Sequence, residues 1–146
     1  MKHINRWIML ALAIANLQLS ACGVAPSKAQ KIQPFRLEAI EGTDLKRIVL
    51  TEKAAERLDI QTAPVRSEQA SVSQQKVIPY AAVLYDVQGD AWTYVSPEPL
   101  VFVREPIVID SIQGDRVFLS DGPELGTAVV TVGAAELYGA ELGVSK

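Results

Sequence analysis

Trp92-Thr93-Tyr94-Val95, Leu100-Val101-Phe102-Val103 and Ile107-Val108-Ile109 follow one another within residues 92–109, separated by Ser96-Pro97-Glu98-Pro99 and Arg104-Glu105-Pro106. Each run is too short for a helix. Each is rich in β-branched or aromatic residues and bounded by proline, the pattern of a short strand. The same reading extends outward to Val77-Ile78 and Ala81 to Tyr85 on one side, and to Val117 to Leu119 and Ala128 to Val132 on the other. Two similar turns punctuate the series, Asp86-Val87-Gln88-Gly89-Asp90 before Trp92 and Asp110-Ser111-Ile112-Gln113-Gly114-Asp115 before Val117. Glycine supplies the positive φ of a hairpin loop, and aspartate favours turns through its own side chain. The expected fold is mainly β, a small β-barrel or β-roll of short antiparallel strands with one short helix.

That helix is placed before the strands. Ile48-Val49-Leu50 reads as a strand, Thr51 as an N-cap, and Glu52 sits where the helix dipole favours an acid. Ala54, Ala55 and Leu58 form an apolar stripe, and so short a helix needs a sheet to pack against. Ile60 to Val65 reads as a strand stopped or bulged at Pro64. Arg66 to Lys76 is polar, a loop or an edge strand. Ala135-Glu136-Leu137 and Ala140-Glu141-Leu142, around Gly139, suggest a closing helical turn or strand. Residues 47–142 are thus the expected domain and 143–146 a tail. Residues 22–46 show no sustained period and read as a flexible tether with an r.m.s. reach of about 5 to 6 Å times the square root of its length.

Residues 1–21 have the composition of an export signal. Lys2 and Arg6 make a positive start, and Trp7 to Leu19 an apolar stretch shorter than the roughly 20 residues of a bilayer span. The end of that stretch, Leu19-Ser20-Ala21-Cys22-Gly23, resembles the lipobox of bacterial lipoproteins. The resemblance implies that Cys22 becomes the first residue of the mature chain and carries acyl groups such as palmitate. Two acyl chains hold a protein firmly where one holds it marginally. The implied location is the cell envelope, lipid-anchored and facing the periplasm or the cell exterior. Gly23, in place of an aspartate, points to an outer membrane where the source has one.

Processing before Cys22 would remove His3, the single histidine, and both methionines, Met1 and Met9, leaving no free thiol. Zinc and copper sites draw on imidazole, thiolate or thioether groups, so no metal or cofactor is expected. Histidine-dependent nucleophiles cannot be assembled. No phosphate-binding glycine loop, calcium-loop spacing or basic aromatic patch for nucleic acid is present. Serine–lysine pairs, and carboxylate pairs among Asp86, Asp90, Asp115 and Asp121, survive as catalytic options, but no motif selects any pair, turn formation accounts for the aspartates more simply, and the chain is read as non-enzymatic. Residues 28–76 carry nine basic and seven acidic side chains, whereas residues 86–146 carry three basic and ten acidic. Tyr85, Trp92 and Tyr94 flank one turn, and Trp92 and Tyr94 share a strand face. If exposed, these rings could stack on sugars and make the domain a cell-wall or small-ligand binding module; if buried, they fill the core.

The order of these strings resembles the periplasmic adaptors, or membrane fusion proteins, of tripartite efflux pumps. Ile48-Val49-Leu50-Thr51, the short helix to Leu58-Asp59-Ile60, and Thr62-Ala63-Pro64-Val65 are similar to the family's opening. Val77-Ile78-Pro79 with Ala82-Val83, Trp92-Thr93-Tyr94-Val95, Glu105-Pro106-Ile107-Val108-Ile109, Gly114-Asp115-Arg116-Val117, Ser120-Asp121-Gly122 and the run Gly126 to Ala134 are similar to its membrane-proximal domain. The resemblance implies a small β-barrel or β-roll with one helix that docks on an inner-membrane transporter or adaptor protein. The family's long helical hairpin and lipoyl-like domain have only Arg66 to Lys76 in their place. Thr127 stands where the family usually has an acid. The implied function is an accessory or docking module, not a bridge between two membranes.

Overall fold

The computed structural model describes residues 33–69 and 73–143, all within one compact unit, Ile32–Lys146. Its strands are β1 (Phe35–Ala39), β2 (Lys46–Leu50), β3 (Gln61–Pro64), β4 (Arg66–Gln69), β5 (Gln74–Pro79), β6 (Leu84–Tyr85), β7 (Ala91–Glu98), β8 (Val101–Pro106), β9 (Val108–Gln113), β10 (Arg116–Asp121) and β11 (Ala128–Val132). Helix α1 (Glu52–Arg57) follows β2, and helix α2 (Ala134–Glu141) follows β11. Among the described residues no helix is long and apolar enough to cross a membrane.

The expectation of a mainly β domain of short antiparallel strands is borne out. The strands form two sheets and do not close into a barrel. The larger sheet runs β1-β2-β8-β7-β11-β3, with β6 added beside β7; the smaller runs β4-β5-β10-β9. The residues explain this arrangement. Along β7, β8 and β11, neighbouring positions are apolar on both faces, so the larger sheet must be covered on both sides. Val95, Val103 and Val129 pack with Ile78, Val117 and Leu119 of the smaller sheet. Tyr94, Phe102 and Val130 point the other way, against Ala54 of α1 and Leu137 of α2. The molecule is therefore layered: small sheet, large sheet, helices.

Several readings change. The tether assigned to residues 22–46 contains β1, whose Phe35 and Leu37 alternate with Arg36 and Glu38 and pack beside Ile48 and Leu50. β1 pairs with β2 from Phe35↔Leu50 to Ala39↔Lys46, so the ordered domain reaches back at least to Phe35. The expected single helix is joined by a second: the closing segment is the helix α2, not a strand. Arg66 to Lys76 supplies an edge strand, β4, and the start of β5. Ala81 to Tyr85 is a 3-10 turn at Tyr80–Ala82 followed by the two-residue β6. The first aspartate-rich turn is a hairpin tip between β6 and β7, with Gly89 at φ 91°; of the second, Asp110 to Gln113 belong to β9 and only Gly114-Asp115 make the turn to β10, with Gly114 at φ 65°.

Candidate functional site

Helix α1 is short enough that its ends decide its stability. Thr51 has extended backbone and its Oγ1 accepts from Ala54 N at 3.2 Å, a cap worth about 0.5–2 kcal/mol. Glu52 lies in the first turn and Arg57 in the last, both complementary to the dipole. The chain then leaves through Asp59, at φ 49°, toward β3. α2 starts at Gly133, whose φ of 90° belongs to glycine. A Cβ at Gly133 would stand 2.2 Å from Ile60 Cδ1, so glycine also permits the junction of β11 and α2 to close on the segment after α1.

Between these helices runs an open groove of about 820 Å³. Phe35 of β1, Leu50 of β2, Ala54 of α1 with Leu58 at its C-cap, and Leu137 and Ala140 of α2 line it. The small side chains of Ala54 and Ala140, with Gly139, leave the space open. A second concavity of about 230 Å³ shares Phe35, Leu50 and Thr51 with it, so the depression continues along β1. Glu52, Lys53, Arg57 and Glu136 complete the lining. The volume falls within the roughly 300–1,000 Å³ usual for small-molecule sites.

The α2 wall is held by a polar cluster beneath it. Glu141, 3% exposed, accepts a hydrogen bond from the Tyr94 hydroxyl at 2.5 Å, and Tyr94 is fully buried. Arg104 Nε lies 3.4 Å from Glu141 Oε2, close enough for ion pairing but without a hydrogen bond's alignment. The Arg104 guanidinium stacks 4.3 Å from the centre of the Trp92 ring and 5.3 Å from that of Tyr138. Lys46 Nζ donates to the Glu141 carbonyl oxygen at 3.2 Å, satisfying one of the orphan carbonyls at the helix end. Burial, then the hydrogen bond to Glu141 and its charge, hold the Tyr94 phenol far above its usual pKa, so it remains a donor. Such an arrangement positions a helix; it offers no exposed reactive atom.

The predicted stacking residues are not a platform. Tyr94 has no exposed face, and Trp92 is partly buried, donating from Nε1 to Asp86 Oδ2 at 3.0 Å while Arg104 covers its ring. Tyr85 alone of the three is exposed, at 48%. The rings of Trp92 and Tyr94 do share a face, but it is the face turned to the helices. Asp86 is committed to its turn: Oδ1 accepts from Gln88 N and Asp90 N at 2.9 and 3.0 Å. Among the described residues no group of three or more acidic, histidine or cysteine side chains could hold a metal. Cys22 lies outside the described residues.

Sequence reasoning missed Arg104, Glu141 and the groove. A charged residue at the end of a short amphipathic segment reads as solvated, and nothing local marks Glu141 as buried. Phe35 was missed as well: its alternation with Leu37 is confined to a five-residue strand inside the segment read as a tether. No protein-family model, curated protein or solved structure matches the chain.

Proposed function

We propose that this chain is a non-catalytic, lipid-anchored envelope module that docks on a membrane transporter, in the manner of the membrane-proximal part of an efflux-pump adaptor. The observation that carries this reading is the order of the adaptor-like strings, from Ile48-Val49-Leu50-Thr51 to the run Gly126 to Ala134, along consecutive elements of one compact unit. The lipobox-like string ending at Cys22 supports anchoring, and the burial of Trp92 and Tyr94 weakens the alternative of a sugar-stacking module.

The experiment is capture of the full-length, lipid-processed protein from gently solubilised envelopes after in-cell photocrosslinking from exposed positions such as Val108, Ile112 and Leu125. A recurrent adduct to one membrane-transporter or adaptor subunit is the expected result. Adducts confined to cell-wall fragments, or to no membrane protein in repeated captures, would overturn it.

A further inference from the structure

We propose that the groove between α1 and α2 is a binding site for a long-chain carboxylate, the alkyl chain lying along the groove and the carboxylate meeting Lys53 and Arg57. The inference does not depend on docking to a transporter. Its first support is the lining. Phe35, Leu50, Ala54, Leu58, Leu137 and Ala140 present hydrocarbon, and the one hydroxyl there, Thr51 Oγ1, is already accepting from Ala54 N. A ligand with polar groups along its length would lose its hydration without replacement; an alkyl chain would not. The second support is shape, because the smaller concavity along β1 extends the groove past Phe35 and Leu50 and suits an elongated guest.

Charge supplies the third support. Lys53 and Arg57 stand one helical turn apart on α1 at the groove's edge; like Lys46, Arg47 and Arg66 they join no ion pair among the described residues, but of these five only Lys53 and Arg57 line the groove. The two glutamates at the same edge, Glu52 and Glu136, each occupy the first turn of a helix, where the dipole offsets an acidic charge. The net preference at the α1 rim is for an anionic head, and a carboxylate is the smallest that a lysine and an arginine a turn apart can share.

The test uses the full-length, lipid-processed protein in vesicles of a neutral phospholipid and a photoactivatable hexadecanoate as probe. The expected result is labelling of peptides that contain Phe35, Leu50 to Leu58 and Leu137 to Ala140. Unlabelled alkanoates should compete about fourfold better for each added methylene until the groove is filled. Lys53→Glu with Arg57→Glu, on exposed side chains, should weaken competition by hexadecanoate at least tenfold while leaving that by hexadecanol unchanged. Gly139→Leu, which favours helix while placing bulk at the groove, should abolish labelling with the thermal melting curve preserved. Labelling spread evenly over the surface, competition independent of chain length, or indifference to both variants would overturn the proposal. So would protection of the groove by an apolar helical peptide where hexadecanoate gives none, since that outcome assigns the surface to a protein partner.

Discussion

The Tyr94 hydroxyl donates to Glu141 Oε2 at 2.5 Å, tying the middle of β7 to the last residue of α2 across 47 positions of sequence. One bond thereby connects the central sheet to a wall of the groove. Both groups are buried, so loss of Glu141 strands the Tyr94 hydroxyl, and loss of that hydroxyl leaves Glu141 Oε2 with only the ion pair to Arg104. Tyr94→Phe should cost about 1–3 kcal/mol of stability, the range for a buried polar group losing its partner. Urea unfolding of Tyr94→Phe, Glu141→Gln and the double variant gives the coupling energy. Additive losses would show that the two side chains do not act together.

Gly133→Ala should destabilise the protein through two separable effects. Positive φ costs an L-residue roughly 1–2 kcal/mol, and the new Cβ would meet the Ile60 side chain. Because the contacting atom is the flexible end of that side chain, Ile60→Val in the same background should recover part of the loss. Recovery of all of it would mean that backbone conformation at Gly133 contributes nothing.

Two carboxylates should give opposite pH signatures. For Glu105, burial outweighs the attraction of Lys76 and, with Asp121 and Glu124, raises its pKa above the ordinary 4.5. The folded state then holds this proton more tightly than the unfolded chain, so stability declines as pH rises from about 4.5 through the raised value. Glu105→Gln should therefore stabilise the protein at neutral pH, with the advantage fading below that window.

For Asp86 desolvation acts upward, but hydrogen bonds from Asp90, Trp92, Gln88 and Gly89 together lower its pKa below 3.8. Its stabilising contribution is present above 3.8 and is lost as pH falls through the lowered value. Asp86→Asn should be destabilising at neutral pH and progressively less so in acid. Denaturant midpoints across pH for both variants test the signs; parallel curves for either one would refute its assignment.

Cys22→Ser should abolish incorporation of an alkyne-bearing palmitate into the protein and leave the signal uncleaved, seen as a retained precursor on gels. Undiminished labelling would place the acyl group elsewhere and remove the anchor from the proposed function.

Local pattern accounts for much of the fold. The runs at Trp92–Val95, Val117–Leu119 and Ala128–Val132 are strands, Thr51 caps α1, and glycine turns the two hairpins, because each depends on residues a few positions apart. The tether reading failed at Phe35 to Ala39 because a five-residue alternation is weak alone and gains its meaning only from β2 beside it. The candidate site was less legible. Phe35, Leu58 and Leu137 were visible as apolar residues, but a groove is a property of what fails to fill the space between them.

The amino-acid order by itself determined the mainly β class, the short capped helix, the lipobox-like string at Cys22 and the scarcity of histidine, cysteine and methionine, all properties of composition and near neighbours. Tertiary structure alone decided that the strands form two sheets instead of one closed barrel, that Trp92 and Tyr94 face inward, and that Glu141 is buried against Tyr94 and Arg104. The reason is physical. A strand states which residues alternate, but which face is covered, and by what, depends on elements far along the chain that compete to exclude water from the same surface.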